Sequence, residues 1–471
     1  MEQDLHTKKK VLILLPDGAG IRNFIYSDFL LKCIENNLNI SCWGREEILT
    51  LIEKPVDKII LPQEKHTTPL AELLRKAWQV LLLRHYAVIF QEPVYLTYIF
   101  KTKRADNTKE CIKNFVTQLI IRCYSDKKNI QKLKLKYQNI IRNTRYYRQC
   151  RKELLQQNPE ILFCTHQRSS EAIAPMLAAN DLGIKTSCFI YSWDNIPKAT
   201  LYVDANYYFV WSDYMKQEIL KHHPEIKPQC ILVTGSPQFA PYFDNSNIID
   251  RKKFADIYRL PVENDWICYS GDDVTTSPHD AEYLKDLCVA VTSWNKISSK
   301  KFHILFRRCP TEVNKRYEET LVKYASCVSE VPPDWKSIGN SLSWDTLVPQ
   351  ALDSKLLVSL ASHCTMVVNI ASTMALDFGI KGKPCIYMNY EQDLQHVWRA
   401  STVYNFVHFR SMGAVQPVIW LKSPDEWHEA FRTALNNSKT VLEANSIWMS
   451  KICMRPIEEA NKRIASYLLS L

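Results

Sequence analysis

Residues 367–384 read VVNIASTMALDFGIKGKP and join two neighbouring hydroxyls, an acid and a Gly-Lys-Pro between apolar runs. The pattern predicts strand, tight turn, helix and strand. Ser372 and Thr373 would open the helix, where free N–H groups and the positive dipole end attract an anion. Asp377 lies one helical turn past Thr373 and could accept hydrogen bonds from a sugar hydroxyl. That layout suits a nucleotide diphosphate, although the same residues would also serve an ordinary helix cap.

Other reactive side chains fall where strands are expected to end. Asp17, Gly18 and Arg22 follow the first apolar run, in PDGAGIR. His166 and Arg168 follow ILFC, while Trp193, Asp194 and Asn195 follow the run ending at Tyr191. Gly271 opens a Gly-Asp-Asp turn, Arg307 and Arg308 follow FHILF, and Glu391 follows CIYMNY. An imidazole with an ordinary pKa near ~6.5 suits proton removal from a hydroxyl. Paired arginines suit phosphate, because the guanidinium is a fork of donors. Each residue also has a plain structural alternative: Asp194-Asn195 suits an Asx turn, Trp193 suits a core, and Glu391 suits solvent.

Positioning these groups requires alternating strands and helices. Strands are expected at 161–164, 186–191, 206–211, 231–233, 266–270 and 302–306, with helices at 169–181 and 213–221. Such alternation argues for parallel sheets, whose functional loops gather at the carboxyl ends of the strands. A polar, turn-rich stretch at 241–250 reads as a linker. The expected domains are 1–243 and 251–454, two Rossmann-like halves with a cleft between them, followed by a terminal helix over 455–471.

Length and composition agree: 471 residues, 46% hydrophobic and 23% charged, describe a globular chain of about two domains. No apolar stretch reaches the ~18–20 residues needed to cross a bilayer. The N-terminal apolar run VLILLP is too short for an export signal. Fifteen cysteines, none in a Cys-x-x-Cys pair, suggest buried thiols in a reducing cytoplasm rather than a disulfide framework or a zinc site. The paired glycines of PDGAG lack the third glycine of a dinucleotide fingerprint.

Charge is uneven. Residues 101–152 hold sixteen Lys or Arg against three Asp or Glu, a surplus of thirteen, whereas the whole chain carries only +10. Apolar residues recur there at helical spacing, so a basic helical insertion is expected in the first domain. It suits an anionic membrane surface, with nucleic acid a less favoured partner and a solvated helical hairpin the plain alternative.

The residues also carry a family resemblance. His166, SWDNIPKA at 192–199, FVWSDYMKQE at 209–218 and VTGSPQF at 233–239 resemble bacterial glycosyltransferases of surface-polysaccharide synthesis. Residues 357–389 are similar to CDP-glycerol glycerophosphotransferases and to relatives of UDP-N-acetylglucosamine 2-epimerase. Arg307-Arg308-Cys309-Pro310 places a cysteine where those families often carry the histidine of Arg-x-His-Pro. The resemblance covers about residues 160–390. It implies a GT-B fold and transfer of a sugar from a nucleotide-sugar, UDP-linked or similar, to a lipid-linked or polysaccharide acceptor. No metal or other cofactor is called for, and a peripheral place on the inner membrane face is expected.

In that scheme negative charge builds on the departing phosphate and is met by preorganised dipoles and cations. Ser372, Thr373, Asp377, Glu391, Gly271 and Arg307 or Arg308 would hold the donor. Gly18, Arg22, Arg168, Trp193 and Asn195 would face the acceptor, and His166, Asp194 or Asp17 would be the base. The alternatives are phospho-polyol transfer, sugar 2-epimerisation, and binding of nucleotide-sugar or nucleic acid without catalysis.

Overall fold

The computed structural model describes residues 8–99, 108–312, 314–338, 346–395 and 398–471. Residues 101–107 of the basic segment lie outside them. The chain divides into two compact units, one of residues 1–236 and 459–471, the other of residues 237–458.

The first unit is built on β1 (Lys9–Leu15), β2 (Leu38–Gly44), β3 (Asp57–Ile60), β4 (Ile161–Cys164), β5 (Lys185–Phe189), β6 (Tyr207–Val210) and β7 (Ile231–Val233). Their order across the sheet is β3-β2-β1-β4-β5-β6-β7, and every pairing is parallel. A sheet covered on both faces needs strands that are apolar throughout. Val11–Leu15 and the whole of β4 are accordingly buried.

From residue 108 onward the described part of the basic stretch is helical: Thr108–Cys123, Lys127–Arg142 and Arg145–Gln157 lie between β3 and β4. In the middle helix Ile130, Leu133, Tyr137 and Ile141 follow one face, and each is at most 3% exposed. The Thr144 hydroxyl accepts from Tyr147 N–H to start the third helix, and Asn158, at φ 46°, ends it in the left-handed region.

The second unit holds β8 (Asp265–Ser270), β9 (Phe302–Arg307), β10 (Val328–Glu330), β13 (Cys364–Asn369), β14 (Cys385–Met388) and β15 (Ile419–Leu421), with β11 (Trp335–Ser337) and β12 (Leu347–Pro349) as a separate antiparallel pair. The parallel order is β10-β9-β8-β13-β14-β15. Both units are therefore Rossmann-like, and both wind outward from a central strand pair: β1 and β4 in the first, β8 and β13 in the second.

Two boundaries differ from the sequence reading. Residues 241–250 are not a free linker. Helical turns at Pro237–Phe243 and Asn245–Asn247 belong to the second unit, and Ile249 is tied there by Ser359 Oγ at 2.9 Å and His363 Nε2 at 2.6 Å. The terminal helix Ala460–Ser470 belongs to the first unit. Lys9 Nζ donates to Leu469 O and Arg463 Nε to Thr234 O, so the chain's end is held by side chains far away in sequence.

Candidate functional site

In an open parallel sheet, ligands settle outside the carboxyl ends of the two strands from which the connections diverge, because the flanking loops part there. In the first unit those ends carry Asp17 after β1 and His166 after β4. Strand pairing brings the two residues together: His166 Nδ1 lies 2.8 Å from Asp17 Oδ2, with both side chains buried. Asp17 Oδ1 accepts from Ala19 N–H at 3.1 Å, and the Ser169 hydroxyl also donates to this carboxylate. Burial alone would raise the Asp17 pKa. The imidazole and the hydrogen bonds outweigh it and hold the carboxyl below its usual range. An ionised carboxylate only accepts, so the hydrogen bond assigns a proton to Nδ1 and leaves Nε2 as the ring nitrogen that Asp17 does not engage.

The surrounding loops are fixed in turn. The His166 ring packs on Tyr191, 4.7 Å between centroids. Gln167 Nε2 donates to Asn195 Oδ1 at 2.7 Å and Gln167 Oε1 accepts from Tyr191 N–H at 2.9 Å, joining the loops after β4 and β5. Gly20 permits the close approach of the first helix, because a Cβ there would sit 2.4 Å from Thr165 Oγ1. That steric demand explains the second glycine of PDGAG; Gly18 is buried and precedes the helix Ala19–Phe24.

The other residues expected in this unit divide clearly. Arg168 is exposed and Arg22 half-buried. Asp194, expected as a possible base, is instead held by Lys198 and by Asn195 Nδ2. Trp193 is 2% exposed, which fits the core alternative of its sequence reading. Sequence reasoning passed over Glu218, although it ends the FVWSDYMKQE segment. This carboxyl is buried in the helix Asp213–His222, and neither oxygen has a hydrogen-bond partner. Burial, helped by the charge of Asp194, pushes its pKa up to about 8. Nothing in its helical periodicity distinguishes it from a surface acid.

In the second unit the corresponding ends are Gly271-Asp272-Asp273 after β8 and residues 370–373 after β13. Ala371 sits at φ 57°, a left-handed conformation uncommon for a residue with a Cβ. Ser372 N–H donates to Asn369 Oδ1 at 3.0 Å and Tyr387 OH to Ser372 O at 2.8 Å, which hold the turn in place. The helix that Ser372 and Thr373 precede, Met374–Ile380, is only seven residues long, and the Thr373 side chain makes no capping bond. A short helix offers a weaker dipole than the sequence pattern suggests. Asp377 is 5% exposed, so the acid expected to meet sugar hydroxyls faces the protein.

The expected phosphate cations are also engaged. Arg307 Nη2 is paired at 2.8 Å with Asp353, itself fully buried and accepting from Asp334 N–H and Trp335 Nε1. Arg308 forks onto Glu330 and reaches Asn314 O. Glu391 accepts from Ala400 N–H at 3.1 Å and so starts a helix. Gly271 has a steric role, since a Cβ would lie 2.9 Å from Phe306.

What gathers at this switch point is a buried acidic cluster that the sequence did not announce. Asp280 Oδ2 accepts from Asp272 N–H at 3.1 Å and from Tyr317 OH at 2.6 Å. Arg316 donates to Asp272 O at 2.6 Å and to Ser277 O at 2.8 Å, and pairs with Glu312. Burial, and after it the neighbouring Asp280, pushes the Asp272 pKa well up. Asp272 Oδ2, Asp280 Oδ1 and Arg316 Nε are buried with no hydrogen-bond partner. Asp273 turns the other way and caps the loop through Thr275 N–H and Thr276 N–H.

No protein-family model matches the chain, and no curated protein matches it. Solved structures do. UDP-GlcNAc 2-epimerase from Methanocaldococcus jannaschii aligns at 13% identity and TM-score 0.51, over 98% of this chain and 100% of its own. The Neisseria meningitidis UDP-GlcNAc 2-epimerase bound to UDP-GlcNAc aligns at 12% and 0.50, over 98% and 100%. A glycosyltransferase from Rickettsia africae aligns at 11% and 0.50, over 98% and 99%. At these identities the likeness is one of fold: the chain has the two Rossmann-like halves shared by GT-B glycosyltransferases and these epimerases.

Proposed function

We propose that the protein is a GT-B glycosyltransferase that uses a nucleotide-sugar, UDP-linked or similar, and transfers the sugar to a hydroxyl of a lipid-linked or polysaccharide acceptor. The observation that carries this reading is the Asp17–His166 pair. A carboxylate held ionised orients the imidazole through Nδ1, and Nε2 remains to take a proton. As the acceptor oxygen attacks the anomeric carbon, His166 Nε2 accepts its proton. The bond to the nucleotide diphosphate breaks, and the electron pair leaves with the phosphate oxygen. Nucleotide binding is assigned to the loops after β8 and β13 in the second unit, where the left-handed Ala371 turn leads into Ser372 and Thr373. UDP-GlcNAc in a fold neighbour supports a nucleotide-sugar donor.

The test is His166→Ala, assayed for release of nucleotide diphosphate from UDP-sugars with and without glycan acceptors. Loss of a general base should cost about 10²–10⁴ in rate, while the thermal shift given by UDP persists. A nucleotide at a hundredfold its Kd should stabilise by about 2.7 kcal/mol. Undiminished turnover would dismiss His166 as the base. A second reading, sugar 2-epimerisation, is favoured by the epimerases among the fold neighbours. It needs no acceptor, and it would incorporate solvent deuterium at C2 of the sugar.

A further inference from the structure

We propose that the basic helices of the first unit form a docking surface for an anionic lipid bilayer. On the helix Thr108–Cys123, Thr117 and Ile121 face inward, and the helix lies against Pro69–Ile89. Ile112, Phe115 and Leu119 fall on another face at helical spacing and are 57%, 65% and 42% exposed. Single exposed apolar residues are ordinary, but three in one stripe, with a phenylalanine largely in water, mark an interaction surface. Lys113 and Arg122 on the same helix are exposed as well.

The neighbouring helix Lys127–Arg142 also packs on Pro69–Ile89. It buries Ile130, Leu133, Tyr137 and Ile141, and presents Lys128, Lys132 and Lys136 one turn apart with Leu135 exposed beside them. Those three lysines make no ion pair among the described residues. An uncompensated cationic surface calls for an anionic partner, and exposed aliphatic and aromatic side chains call for a hydrocarbon boundary. Both demands are met by the headgroup region of an anionic bilayer, where an amphipathic helix lies in the interface plane. Nucleic acid would satisfy the cations but gives Ile112 and Leu119 nothing to bury against. Among the described residues no helix is long and apolar enough to cross a membrane, so the contact is peripheral. This inference does not depend on the catalytic reading.

The 471-residue protein is sedimented with vesicles of phosphatidylcholine, with and without phosphatidylglycerol. Binding is expected to the anionic vesicles only and should weaken as ionic strength rises. The variant K128Q/K132Q/K136Q should bind about a hundredfold more weakly, roughly fivefold for each cation. The variant I112S/F115S/L119S should lose at least tenfold, with unfolding temperature unchanged because the stripe is exposed. Equal binding to both vesicle types, no binding to either, or binding indifferent to both variants would overturn the proposal. So would salt-steep RNA binding without vesicle binding, which would assign the surface to nucleic acid.

Discussion

Asp17 in the first unit and Asp272 in the second occupy the same topological address, just past the first strand of a Rossmann-like sheet and beside its fourth. Their chemistry is opposite. Asp17 meets the imidazole of His166 and is held ionised. Asp272 meets another carboxyl, Asp280, and is pushed toward its protonated form. The strand end supplies burial in both cases. The partner delivered by the neighbouring loop decides whether the charge is favoured, because burial alone always raises a carboxyl pKa. A similar contrast holds for the cations. Arg308 is committed to Glu330 through two nitrogens, whereas Arg307 pairs with Asp353 through Nη2 and keeps Nη1 buried without a hydrogen-bond partner.

The largest expected effect tests whether Arg307 is structural. Asp353→Ala would strand a buried guanidinium and should cost about 3–5 kcal/mol, read as a lower denaturant midpoint for the second unit. A loss below ~1 kcal/mol would free Arg307 for a ligand role. His166→Ala would likewise strand the buried Asp17 carboxylate and should lower the stability of the first unit by about 1–3 kcal/mol.

The next tests sharpen the opposition between the two acids. Asp17 has a lowered pKa, so its stabilisation is present above its unfolded value of 3.8 and is lost as pH falls through the folded value. Asp17→Asn should lower stability at pH 7 by about 1–3 kcal/mol, with the deficit shrinking below pH ~4. Asp272 has a raised pKa, so its cost grows as pH rises above 3.8 and the unfolded chain ionises first. Asp272→Asn should therefore gain stability at pH 7 and nothing in acid. Unfolding curves across pH with slopes of the same sign for both variants would break the comparison.

The smallest effect concerns the turn after β13. Ala371→Gly relieves a left-handed conformation and should stabilise by about 1 kcal/mol. If that strained turn positions nucleotide-binding groups, the same change should weaken the thermal shift given by UDP.

Much of the frame was legible in the sequence. Ile161–Cys164 and Ile231–Val233 are apolar runs bounded by polar turns, and they are strands as expected. The basic segment shows its helical period because only one face of each helix is buried. The strand-end positions of Asp17 and His166 could likewise be read from where apolar runs stop. Their pairing could not, since 149 residues separate them and only the adjacency of β1 and β4 joins them. Arg307 and Arg308 read as free cations because an ion pair leaves no trace in local pattern. Their partners Asp353 and Glu330 arrive from other elements.

Sequence alone thus determined the periodicities, and with them the strands, the helices, the α/β class and the loops that could carry chemistry, because hydrophobic pattern is a local property. Tertiary structure decided which acid met a base and which met another acid, and which arginine was already spoken for. Those outcomes depend on strand order, which brings distant residues within hydrogen-bonding range and removes the water that would otherwise screen them.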